Sequence, residues 1–160
     1  HEAGHMLCSL LCKARILRFD IELWGGRMTY AGVGLSYGQE LFIALGGIAA
    51  NMLVAPLGLL LGFTGIYGKF FFCCCAAYAL VNIIPASTLD GGVALGCILR
   101  MTGDGVAVAQ AERAVNVFSL LLFACAGALL CIASGFNSSV LFLSLLTVVL
   151  LAEEKRSDRF

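Results

Sequence analysis

Residues 1–5 read His1-Glu2-Ala3-Gly4-His5, the pattern H-E-x-x-H. On a helix, positions i and i+4 share a face, so His1 and His5 can offer two imidazole nitrogens to one metal ion. Glu2 stands beside them as a candidate general base. A zinc site needs a third protein ligand, and Asp90 is the candidate. It closes the stretch Asn82-Ile83-Ile84-Pro85-Ala86-Ser87-Thr88-Leu89-Asp90 and precedes Gly91-Gly92. Two imidazoles and two carboxylates in this combination point to metal-assisted hydrolysis: Glu2 would take a proton from water and pass it to a leaving amine. Asn82, a neutral donor and acceptor, could hold a substrate backbone or a developing oxyanion. Pro85 would keep the segment from closing into helix, which lets Asp90 turn inwards.

Each of these residues also has a plainer reading. H-E-x-x-H occurs on ordinary soluble helices. Asp90 ahead of a helix can act as an N-cap, a role compatible with metal ligation. Asn82-x-x-Pro85 can be a simple helix end. Cys73-Cys74-Cys75 is a conceivable metal or redox cluster, but helical neighbours point about 100° apart and cannot converge on one ion. The eight cysteines form no C-x-x-C pair, and they read as small apolar residues.

The elements that must position this chemistry are apolar. The 160 residues are 61% hydrophobic and only 12% charged, with a mean hydropathy of +0.98. Soluble domains are nearer half apolar and a quarter charged, so the composition is that of an integral membrane protein. The net charge of zero leaves no basic surface for nucleic acid. Residues 1–12 are too short to cross a bilayer, which takes roughly 20 residues, and we read this helix as beginning upstream of His1. Residues 16–30 mix apolar and charged positions, with Gly25-Gly26 between two strand-like runs, and predict a small β-hairpin at the membrane interface. Gly32, Gly34 and Gly38 suggest loop. Residues 41–63 are uncharged and predict a transmembrane helix, with Gly46, Gly47 and Asn51 near one face where another helix can approach closely. Asn51 should face protein rather than lipid. Residues 65–69 read as a turn, 70–89 as an interrupted apolar run and 93–101 as a further helical segment. Residues 102–113 read as a polar loop, and 114–152 as two helices split by a turn at 134–139.

The predicted fold is therefore an all-α polytopic membrane protein of about five to six transmembrane helices with a small β-hairpin at the cytoplasmic interface. It forms one membrane-embedded domain over residues 1–160, with a core at 1–101, two accessory helices at 114–152 and a charged tail at 153–160. Orientation follows from the positive charges. One side collects Lys13, Arg15, Arg18, Arg27, Arg100, Arg113, Lys155, Arg156 and Arg159, whereas the other has Lys69 alone. The first side is assigned to the cytoplasm. His5 lies eight residues before Lys13, about 12 Å along a helix, so the candidate site is inside the membrane near the cytoplasmic face. A carboxylate at that depth costs on the order of 3 kcal/mol, and a divalent cation gives Asp90 and both imidazoles a common reason to be there. Trp24 and Tyr30 suit interfacial anchors.

With these motifs in place the chain resembles the site-2 proteases, which are intramembrane zinc metalloproteases. His1-Glu2-x-x-His5 is similar to their first motif. The stretch from Asn82 through Pro85 to Asp90-Gly91 is similar to their N-x-x-P-x-x-x-x-D-G motif. Gly47-Ile48-Ala49-Ala50-Asn51 resembles their G-P-x-x-N stretch, with Ile48 where that family commonly has Pro. The resemblance covers residues 1 to about 100. It implies one Zn2+ per chain held by His1, His5 and Asp90, with Glu2 catalytic and Pro85, Gly91 and Asn51 structural near the site. It also implies a membrane-associated protein substrate, cut within or beside its transmembrane segment and docked as an added strand on Gly25, Gly26, Arg27 and Met28. The short connection at 102–113 leaves no room for a peptide-binding domain. The minimal bacterial type in the plasma membrane, which processes an inactive sigma factor in sporulation and answers to an inhibitory membrane partner, is the nearest pattern.

A membrane transporter is the competing expectation, because a broken helix carrying Asn, Pro and Asp at mid-membrane also builds ion sites. Glu2 discriminates: an ion site has no need of a carboxylate next to the first histidine, and no repeat symmetry is visible. A catalytically dead relative that binds membrane partners ranks last, since all four catalytic positions are intact.

Overall fold

The computed structural model describes residues 1–14, 16–22, 25–30, 34–60, 65–103 and 105–135. The order is α1 (Glu2–Leu11), β1 (Ile16–Glu22), β2 (Gly25–Tyr30), α2 (Tyr37–Leu60), α3 (Ile66–Asn82), α4 (Asp90–Thr102) and α5 (Val106–Ala133). The protein is mostly helical. Two of its described helices, Tyr37–Gly58 and Val106–Ala133, are long and apolar enough to cross a membrane. The second accessory helix expected at 138–152, the tail at 153–160, Arg15 and Trp24 lie outside the described residues.

Strands β1 and β2 pair antiparallel, with Phe19 opposite Met28, Asp20 opposite Arg27 and Glu22 opposite Gly25. Helix α2 is the hub and packs against α1, α3 and α4, while α5 packs against α4. The α1–α2 crossing depends on small residues. A Cβ built on Gly46 would lie 2.6 Å from Cys8 Sγ and 2.9 Å from the Gly4 carbonyl oxygen. Only glycine therefore allows the two backbones to meet this closely. The α4–α5 contact carries an ion pair, Arg100 to Glu112 at 3.0 Å.

Burial runs opposite to a water-soluble protein. The buried apolar residues are mostly small, among them Ala44, Ala55, Ala79, Ala86 and Ala94, and the largest fully buried side chains are Ser9 and Ser119. The bulky residues face outwards: Leu53, Ile66 and Phe70 are 73%, 77% and 69% exposed. An apolar surface this large is unfavourable in water.

Four boundaries differ from the sequence reading, one of them the start of α4, at Asp90 rather than Val93. Helix α2 starts at Tyr37, so Gly38 is helical rather than loop. The cause is a capping box: Gln39 N–H donates to Ser36 Oγ at 3.3 Å, and Ser36 N–H donates to Gln39 Oε1 at 3.0 Å. This exchange satisfies two of the N–H groups that a helix start leaves unpaired. Residues 66–69, read as a turn, form the first turn of α3. Most of the loop expected at 102–113 is helix, since α5 begins at Val106. Its Ala, Gln, Glu and Arg residues are good helix formers, and charge alone does not end a helix.

Candidate metal centre

Two elements bring the ligands together. Helix α1 carries His1 at its N-cap and His5 one turn on, and the His1 carbonyl accepts from His5 N–H at 3.3 Å. The third group arrives from the break between α3 and α4. Helix α3 ends at Asn82, and Ile83 and Ile84 close its last turn by donating to the carbonyls of Ala79 and Val81 at 3.1 Å each. Pro85 cannot continue the ladder, because it lacks an N–H and disfavours helix in the residue before it. The chain then folds back on the first turn of α4. A Cβ on Gly91 would run into the carbonyls of Ile83 and Ile84, which accounts for glycine after Asp90.

Asp90 is the first residue of α4, and the N-cap position belongs to Leu89, which makes no side-chain cap bond. The capping role considered for Asp90 is therefore not used. Its carboxylate turns towards the imidazoles instead: Oδ2 lies 2.9 Å from His1 Nε2 and 3.3 Å from His5 Nε2. The two Nε2 atoms are 3.3 Å apart. Among the described residues His1, His5 and Asp90 form the one group with the donor set and spacing to hold a metal ion.

The donor chemistry fits a cation. His5 Nδ1 lies 2.7 Å from the Ile43 carbonyl oxygen, on the neighbouring α2. A carbonyl only accepts, so Nδ1 carries the hydrogen and a neutral His5 ring presents the Nε2 lone pair to the site. Asp90 Oδ2 is buried with no aligned hydrogen-bond donor. Lone pairs thus converge where a positive charge would satisfy them. Tetrahedral zinc with bonds of about 2.0–2.1 Å sets its ligand atoms about 3.3 Å apart, close to the 2.9, 3.3 and 3.3 Å edges of this triangle.

Further residues hold the rings. Asn51 is buried, and its amide lies 3.3 Å from His1 Nδ1. The atom placed there is Nδ2; with the amide flipped, Oδ1 would accept from Nδ1–H and leave His1 Nε2 free to ligate. The Tyr78 ring packs edge-on against His1, with centroids 4.7 Å apart, and the two imidazoles meet edge-on at 4.8 Å. Glu2 is half-buried on the first turn of α1, within electrostatic reach of His5 and Tyr78.

Asn82 is buried, its Nδ2 donates to the Tyr78 carbonyl at 3.0 Å, and its side chain also hydrogen-bonds that of Tyr78. Gly25, Gly26, Arg27 and Met28 belong to β2 and are not part of the His–Asp group. Sequence reasoning missed two contributors: the Ile43 carbonyl and Tyr78. Their contacts bridge separate helices or lie off any motif, so no spacing in the sequence marks them.

No protein-family model matches the chain, and no curated protein matches it.

Proposed function

We propose that this protein is an intramembrane zinc metalloendopeptidase of the site-2 protease kind. The observation that carries the reading is the triangle of His1 Nε2, His5 Nε2 and Asp90 Oδ2, with edges of 2.9–3.3 Å, next to Glu2. His1, His5 and Asp90 would hold the ion, leaving a fourth position open. When bound there, zinc would supply an acidified water and a polarised carbonyl. Glu2 is the proton carrier: its carboxylate accepts a proton during attack on the peptide carbonyl and returns it to the leaving nitrogen. Asn82 would turn an amide hydrogen from Tyr78 to the substrate carbonyl oxygen as charge develops on it.

The inside-out burial supports a bilayer setting. Small and polar residues pack between helices while Leu53, Ile66 and Phe70 face outwards, as lipid requires. In this reading α3, of 17 residues, crosses with α2 and α5, and the remaining spans and the charge-based orientation complete a multi-pass protein with its site near the cytoplasmic face. The two-stranded sheet leaves an outer backbone edge on β2, at Gly25, Gly26, Arg27 and Met28, where a membrane-associated substrate can add as a strand.

The test is reconstitution in lipid with zinc and a panel of tagged single-span proteins. Cleavage should appear with the parent and fall by about 100- to 10,000-fold with Glu2→Gln, while zinc uptake stays unchanged. Cleavage that survives Glu2→Gln would refute the assignment. Zinc flux across the vesicle without cleavage would favour a transporter built on the same broken helix.

A further inference from the structure

Helix α5 follows the last sequence motif, and read from the sequence alone it is an accessory span. One residue ties it to the metal centre. Asn116 is 5% exposed, and an amide buried in apolar surroundings must find a partner. Its Oδ1 accepts from the Ser87 backbone N–H at 2.8 Å, across 29 residues of sequence.

Ser87 sits in the break that delivers Asp90. Neighbouring N–H groups of that break find acceptors locally: Ala86 donates to Ile84 at 2.8 Å and Leu89 donates to Ala86 at 2.9 Å. The Ser87 N–H instead takes its acceptor from another helix. Its position is passed on to Asp90, because Gly92 N–H donates to the Leu89 carbonyl at 2.9 Å and a Cβ on Gly92 would run into the Ala86 carbonyl. The break and the first turn of α4 are thus one close-packed unit, and Asn116 holds it from outside.

We infer that Asn116 is a positioning residue for the third metal ligand: through Ser87 it sets where the Asp90 carboxylate meets the two imidazoles of α1. Helix α5 is then part of the metal centre rather than an accessory to it. The inference rests on the zinc reading above.

The experiment titrates the full chain in detergent micelles with zinc alone, against a chromophoric chelator, for the parent and for Asn116→Leu, Asn116→Ala and Asn116→Asp. The Leu and Ala variants should bind zinc about 10- to 100-fold more weakly. Asn116→Asp keeps an acceptor oxygen at the same place and should return affinity to within about threefold of the parent. A merely structural role would lower the melting temperature of the zinc-free Leu and Ala variants and leave their zinc affinity at the parent value, and that result would overturn the inference alone. A parent that takes up no zinc would overturn the inference and the metal reading together. A second measurement needs no variant: in the zinc-free parent, the Ser87 amide should be protected from hydrogen exchange. Free exchange of that amide would overturn the strut even if the Leu and Ala variants do not fold.

Discussion

Gly47→Ala adds one methyl group and should empty the metal centre. Gly47 lies on α2 facing both imidazoles. A Cβ built there would run into His5 Nε2 and lie 2.7 Å from His5 Cε1 and 2.8 Å from His1 Cε1. Carbon atoms in contact prefer about 3.5–4.0 Å, so each ring carbon must retreat by roughly 0.7–1.3 Å. Metal–ligand distances tolerate only about 0.2 Å. The rings have little freedom to comply, since His5 Nδ1 is bonded to the Ile43 carbonyl at 2.7 Å and His1 is wedged against Tyr78. Zinc affinity should fall by about 100-fold or more, beyond the usual loss from changing a residue behind a ligand. The fold should survive, because overpacking costs about 1–3 kcal/mol and alanine returns about 1 kcal/mol of helix propensity. Chelator competition measures the affinity and circular dichroism the helix content. Gly38→Ala is the control: its Cβ would have neighbours no nearer than 3.8 Å, and zinc affinity should not change. If Gly47→Ala binds zinc within about threefold of the parent, the proposed ligand geometry is wrong.

Other expectations follow from single contacts. Asn51→Leu removes the amide beside His1 Nδ1, 3.3 Å away, and should weaken zinc about 10- to 100-fold, measured by the same competition. Tyr78→Phe keeps the ring that packs on His1 and should leave zinc affinity at the parent value, whereas Tyr78→Ala should lower it. The Arg100–Glu112 pair, with side chains 47% and 29% exposed, should contribute at most about 1 kcal/mol after screening; a double-mutant cycle of Arg100→Ala and Glu112→Ala on thermal stability checks this.

Much of the candidate His–Asp cluster was legible because its logic is local. The i, i+4 spacing of His1 and His5 fixes a shared helix face, and Pro85 forces the break that presents Asp90. The small residues Gly46 and Gly47 announced a close helix crossing, which the structure places against α1. The element boundaries were harder. The start of α2 was written in Ser36-x-x-Gln39, a signal obscured by Gly38, and the start of α5 was hidden by treating charge as the end of a helix. Asp90 read equally well as a cap or a ligand, and only the approach of α1 decides where its carboxylate turns. Contacts such as Ile43 to His5 and Asn116 to Ser87 span 38 and 29 residues. They follow from how the helices pack, which hydrophobic patterning among membrane helices constrains weakly because all faces are apolar.

X-ray absorption at the zinc edge of the purified full-length chain tests the central claim most directly. The expected result is one zinc per chain, a shell of nitrogen and oxygen only with two imidazoles, and loss of the ion in Asp90→Ala. A shell containing cysteine sulfur, or undiminished zinc in Asp90→Ala, would contradict it.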